Sequence, residues 1–153
     1  MKEKGLIQSN GKSRSIKTSK MQSTLNGVNY LPVVGSIACG TPILAEENIE
    51  KYLPIPNEFL GAGNHFILRA KGNSMIKAGI EDGDYVIVRQ QETAEIGQII
   101  VALIDGEATL KRYYIDNQKQ EIRLRPENDK FKDMYFKNIV IQGIAVKVIK
   151  DLI

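Results

Sequence analysis

Gln98-Ile99-Ile100-Val101-Ala102-Leu103-Ile104-Asp105-Gly106-Glu107-Ala108-Thr109-Leu110-Lys111-Arg112-Tyr113-Tyr114-Ile115 is two β-rich runs on either side of one Asp-Gly pair. A type I′ turn needs positive φ at both central residues, which is why Asp-Gly favours it, so the stretch predicts a β-hairpin. With a two-residue loop, Ile104 faces Glu107 and the register runs back to Ile100 opposite Lys111. Cross-strand partners share a face, so Lys111 projects beside Ile100 with Ala102 diagonal to it. A lysine in such surroundings loses hydration, which disfavours the ammonium form. The neutral amine can take a proton from a hydroxyl, as an ordinary surface lysine at neutral pH cannot.

The same pattern of short strands and turns extends outward from this hairpin. Toward the N-terminus, Tyr85-Val86-Ile87-Val88-Arg89 follows the turn Asp82-Gly83-Asp84, and Phe66-Ile67-Leu68-Arg69-Ala70 precedes the glycine-led turn Gly72-Asn73-Ser74-Met75. Glu95-Ile96-Gly97 is a further turn, Glu121 to Arg125 a further strand, and Ile139 to Ile149 a long apolar run around Gly143, read as one core strand. Strands at this spacing predict a mostly β domain, a twisted sandwich or partly open barrel. One helix is expected, Ala45 to Leu53, stopped by Pro54 and Pro56. Leu31 to Pro42 is apolar, with small residues at 38 to 40 and a proline toward each end, and reads as extended. A protease cleft can accept such a segment by strand addition, although an ordinary edge strand is the plainer reading.

Asn10-Gly11 lies between two short strand-compatible runs and predicts a hairpin over 1–18, too small to fold alone. Residues 19–30 are rich in Ser, Gln, Asn, Thr and Gly and read as a linker, which leaves 31–153 as the folded domain.

The composition narrows the chemistry. At 153 residues and 42% hydrophobic, the chain can bury a real core. One cysteine, Cys39, and one histidine, His65, exclude an internal disulfide and the usual zinc sites, so no metal or cofactor is expected. No apolar run reaches membrane-spanning length and no signal-peptide core is present, so a cytoplasmic protein is expected. The net charge of +3 is uneven. Six basic residues fall in the first 20 (Lys2, Lys4, Lys12, Arg14, Lys17, Lys20), leaving 15 basic against 17 acidic residues of the 21 and 18 in all. Such a tail is ordinarily a solvated end, and at most a segment that touches phosphates.

Ser74 and Lys111 are therefore the candidate nucleophile and base, with the turn around Ser74 able to offer backbone amides to an oxyanion. Each also has an ordinary reading, since serines cap turns and strand lysines usually face water. A cysteine enzyme built from Cys39 and His65 is a weaker alternative, because Cys39 has no activating neighbour in the sequence.

Four segments carry a resemblance: Gly40-Thr41-Pro42-Ile43-Leu44-Ala45-Glu46-Glu47-Asn48-Ile49, Gly72-Asn73-Ser74-Met75, Gly79-Ile80 with Asp82-Gly83-Asp84, and Asp105-Gly106-Glu107-Ala108-Thr109-Leu110-Lys111-Arg112. Together, from about Leu31 to Ile149, they resemble the LexA family of self-cleaving SOS repressors. The resemblance implies Ser74 as nucleophile, Lys111 as general base, the amides of Asn73 and Ser74 as oxyanion donors, and Cys39-Gly40 as the bond cut. It also implies a homodimer formed through the C-terminal strand, taken as an edge strand, and a RecA filament on single-stranded DNA as the trigger. The 1–18 segment resembles only the wing of the family's winged helix-turn-helix, so operator DNA binding would need a recognition helix that this sequence does not contain. Cys39 before the cleaved bond, where many LexA proteins have alanine, is shared with the polymerase accessory protein UmuD. A UmuD-like accessory subunit and a phage repressor are the alternatives.

Overall fold

The computed structural model describes residues 27–152. The expected hairpin over 1–18 and most of the expected linker lie outside the described residues.

Among the described residues nine strands form one open, mixed sheet: β1 (Val28–Val34), β2 (Ile49–Pro56), β3 (His65–Arg69), β4 (Tyr85–Gln90), β5 (Ile99–Ile104), β6 (Glu107–Asp116), β7 (Glu121–Arg125), β8 (Met134–Phe136) and β9 (Val140–Ile149). Their order across the sheet is β2-β1-β3-β4-β9-β5-β6-β7-β8. The β5–β6 hairpin has the register read from the sequence, with Ile104 opposite Glu107 and Ile100 opposite Lys111. Asp105 at φ 52 and Gly106 at φ 81 supply the left-handed pair that its turn requires.

Three expectations are corrected. The helix expected over Ala45 to Leu53 is a single 3-10 turn, Glu46–Asn48, after which the chain enters β2 at Ile49. Pairing with β1 decides the matter, since Leu53 and Tyr52 stand opposite Leu31 and Pro32, and one weak amphipathic turn cannot match a seven-residue ladder. That ladder also draws Val28, Asn29 and Tyr30 out of the expected linker and into β1. Finally, the C-terminal strand β9 is not an edge strand; it lies between β4 and β5 and pairs with both.

Alternation along the strands divides the core between the faces of the twisted sheet. Phe66 and Leu68 pack with Val86, Val88 and Val101 in one cluster, to which Met75 and Ile80 of the serine loop belong. Ile67 and Ile87 pack oppositely, with Leu31, Val33 and Ile55. Ile100, Ala102, Leu124, Ile141 and Ile144 form a third cluster on the β5–β8 side. Phe66, Ile67, Ile87 and Ile100 are fully buried, each stabilising the fold by roughly 1.5–3 kcal/mol relative to exposure. Gly143 sits where β9 crosses from β4 to β5, and a Cβ there would lie 2.4 Å from the Arg89 carbonyl oxygen. Only glycine lets the two backbones approach so closely.

Candidate active site

Ser74 lies in the loop between β3 and the 3-10 turn Ile76–Ala78. The base of that loop is pinned by paired bonds, from the Ala70 N–H to the Asp84 carbonyl and from the Gly83 N–H to the Ala70 carbonyl, both 2.8 Å. Its start is fixed by the Gly72 N–H, which donates to Asp82 Oδ1 at 2.7 Å, with Gly72 at φ +76. Its far side is held by Met75, which is buried in the first core cluster. Thus an apolar anchor immediately after Ser74 holds the turn against the sheet while the serine itself stays half-buried.

Lys111 reaches the same place from β6. Its Nζ lies 3.0 Å from Ser74 Oγ and 3.0 Å from the Leu110 carbonyl oxygen, bridging residues 37 positions apart in the chain. The residue is 9% exposed, and burial lowers its pKa from the ordinary 10.5. Among the described residues no carboxylate forms an ion pair with it that would hold the ammonium in place. The result is an amine with reduced affinity for its proton, in hydrogen-bond contact with a hydroxyl, which is the arrangement a serine needs to become a nucleophile without histidine.

A cleft of about 420 Å³ opens beside this pair, lined by Gly35, Ser36 and Ile37 on one side and by Ala70, Ser74 and Lys111 on the other. A smaller cavity of about 240 Å³ on the far side of the pair is lined in part by Asn73, Phe131 and Met134. The Cys39-Gly40 bond lies at neither. The cleft lining stops at Ile37, and Cys39 is exposed. Nor is the segment extended beyond β1. The Thr41 N–H donates to the Ala38 carbonyl at 3.2 Å, closing a turn whose central peptide is Cys39-Gly40, with Gly40 at the positive φ of 78 that a type II turn requires there.

Asn48 holds that turn together. It is 3% exposed; its Oδ1 accepts from the Ala38 N–H at 2.7 Å, and its Nδ2 donates to Thr41 Oγ1 and the Pro42 carbonyl, both at 2.9 Å. Below the turn, Lys71 Nζ donates to Ser36 Oγ at 3.1 Å, linking the segment's base to the cleft rim.

The structure therefore brings Ser74 and Lys111 together, keeps Asn73 beside them, and leaves Cys39 and Gly40 outside the cleft. It does not pair Cys39 with His65. His65 is buried at the start of β3, where burial chiefly, then the Arg89 charge, hold its pKa below the usual 6.5 against a hydrogen bond to the Gly63 backbone. Sequence reasoning missed Asn48 and the 126–129 loop that grips the serine turn. Pro126-Glu127-Asn128-Asp129 announces a turn, but its partners are main-chain atoms distant in sequence. Among the described residues no group of three or more His, Cys, Asp or Glu side chains is arranged to hold a metal, and no helix is long and apolar enough to cross a membrane.

The family described as Peptidase S24-like matches residues 32–146. The chain is 48% identical over 154 residues to a LexA repressor of Syntrophomonas wolfei, covering 99% of this chain and 74% of that protein. It is 43% identical over 156 residues to a LexA repressor of Exiguobacterium sibiricum, covering 99% and 76%, and 50% identical over 122 residues to one of Alkaliphilus oremlandii, covering 80% and 58%.

Proposed function

The chain belongs to the Peptidase S24-like family, among its LexA repressors, and on that premise we propose that it is a repressor of the SOS response that inactivates itself by cutting Cys39-Gly40 with Ser74 and Lys111. The observation that carries this reading is the 3.0 Å contact between a desolvated lysine amine and the serine hydroxyl. The similarity to LexA repressors favours the repressor over a polymerase accessory subunit.

In the reaction, neutral Lys111 accepts the Ser74 hydroxyl proton as Oγ attacks the Cys39 carbonyl carbon. The amides of Asn73 and Ser74 receive the developing oxyanion. The tetrahedral adduct collapses, the bond to the Gly40 nitrogen breaks, and Lys111 returns the proton to that leaving amine. Cys39 is then esterified to Ser74 until a water, deprotonated by Lys111, releases it as a carboxylate. Because the substrate is part of the same chain, positioning alone can supply roughly 7–11 kcal/mol of the barrier.

An intramolecular protease needs restraint, and the placement of the Cys39-Gly40 turn outside the cleft supplies it. Cleavage then requires a second state in which the turn enters, and a partner that binds this state better shifts the population toward it. A RecA filament on single-stranded DNA is that partner in this reading, and a homodimer is the working form.

The test is incubation of the purified chain at pH 7 and pH 10 with intact-mass analysis, beside Ser74→Ala and Lys111→Met. Two fragments meeting at Cys39 and Gly40, forming faster at pH 10 and absent from both variants, are expected. A rate flat from pH 7 to pH 10, or cleavage persisting in Lys111→Met, would remove lysine as the base.

A further inference from the structure

The loop between β7 and β8 grips the serine turn through its main chain. The Glu127 N–H donates to the Ser74 carbonyl and the Lys77 N–H to the Glu127 carbonyl, both at 2.8 Å. The neighbouring Asn128 donates from Nδ2 to the Asn73 carbonyl at 2.8 Å, while its Oδ1 accepts from the Lys130 N–H at 2.9 Å. Both ends of this carboxamide are thus engaged, and its orientation is fixed. Buried Pro126 anchors the loop from one side. From the other, Arg112, next to Lys111 on β6, donates to Glu127 Oε1 and to the Gly97 carbonyl, each at 2.7 Å.

A trans peptide group is planar, with its carbonyl and N–H pointing in opposite directions. None of the described peptide bonds is cis. The Asn73 carbonyl and the Ser74 N–H belong to one such plane, so whatever holds the carbonyl also aims the amide. The next plane, Ser74 carbonyl with Met75 N–H, is held in the same way by Glu127. On the reading of Ser74 as nucleophile, the Ser74 amide is an oxyanion donor, and its value depends on being aimed before charge develops.

We propose that Asn128 is a positioning residue for the oxyanion site: its side-chain N–H bond to the Asn73 carbonyl fixes the peptide plane that points the Ser74 amide at the developing negative charge. The Ile76 N–H also donates to the Asn73 carbonyl, but at the longer 3.2 Å, so without Asn128 the plane is held by the weaker bond and the amide loses its aim although Ser74 Oγ and Lys111 Nζ remain in contact. The effect falls on the height of the cleavage rate and not on the protonation of Lys111.

The experiment measures first-order self-cleavage of the full chain across pH 7 to pH 11, with thermal unfolding, for Asn128→Ala and Asn128→Asp beside the parent and Ser74→Ala. The aspartate keeps the shape and the acceptor for the Lys130 N–H but has no hydrogen to offer the Asn73 carbonyl. Both variants are expected to lose about tenfold or more of the plateau rate, short of the roughly 10²–10³-fold that follows outright removal of an oxyanion donor. The pH midpoint of Asn128→Ala is expected to match the parent's. Should Asn128→Ala fail to fold, the rate of the aspartate variant decides. Cleavage by Asn128→Asp within twofold of the parent, with Ser74→Ala inert, would overturn the role of Asn128 and leave the dyad standing. A displaced pH midpoint in Asn128→Ala would also overturn it, by showing that the loop acts on Lys111. Cleavage by Ser74→Ala would instead remove the dyad reading on which the proposal rests.

Discussion

Lys111 costs the fold stability in the state in which the chain is ordinarily found. Burial lowers its folded-state pKa below 10.5, so at pH values just under 10.5 the unfolded chain binds more protons than the folded one. Stability from this group therefore rises with pH through the window between the depressed value and 10.5, and below that window the penalty is present in full. Lys111→Met is accordingly expected to unfold at a higher temperature than the parent at pH 7, with the gap closing as the pH approaches 10.5. A gap independent of pH in calorimetry would show that the ammonium is not desolvated. Ser74 and Lys111 were legible in the sequence for different reasons. Asp105-Gly106 set a register that placed Lys111 opposite Ile100, whereas Ser74 stood out only as a serine in a glycine-led turn. Their contact was not legible, because it depends on how the β3 loop and β6 meet across the sheet. Asn48 and Asn128 were less legible still, since each acts chiefly on main-chain groups, which leave no pattern in the sequence.

Among the elements, β2 shows why local pattern was a poor guide. Ala45 to Leu53 has helix-forming residues, yet seven β1 positions offer ladder partners and the segment is drawn into the sheet. Its edge carries Pro54 and Pro56, which withhold N–H donors from any further strand. Strand β9 was read correctly as one long strand and wrongly as an edge, because an apolar run does not reveal which neighbours cover it. Its crossing point is tight. Register shifts flank Gly143 on both sides, at Ile87/Val88 against β4 and Val101/Ala102 against β5, and an added methyl would meet Arg89 backbone and the Val88 side chain. Gly143→Ala is expected to destabilise the domain by about 1–3 kcal/mol, as overpacking of a close-packed interior does. Urea unfolding would read the loss; an unchanged midpoint would mean that β4 and β9 can move apart at no cost.

Taken whole, the sheet has an opening on β9, away from either end. Val140 to Ile144 pair with β5, but among the described residues Ala145 to Ile149 pair only with β4, because the chain turns away at Gly97 before β5 begins. Val148 and Ile149 are more than a third exposed on this half-strand. A half-open strand of this kind can pair with its copy about a two-fold axis, which is how the homodimer of the proposed repressor would close. The chain is expected to sediment as a dimer at micromolar concentration and the double variant Val148→Lys/Ile149→Lys as a monomer; a monomeric parent would exclude this interface.

The position of β9 also governs when the protein can harm itself. Ser74 follows β3 and Lys111 lies on β6, so the two belong to opposite halves of the sheet, and β9 is the strand through which β4 and β5 are joined. During synthesis it leaves the ribosome after the other eight described strands. Until residues 140–149 have emerged, the halves that carry Ser74 and Lys111 have no shared strand to hold them in register. The order in which the chain is made thereby delays the meeting of Ser74 and Lys111 until β9 is in place.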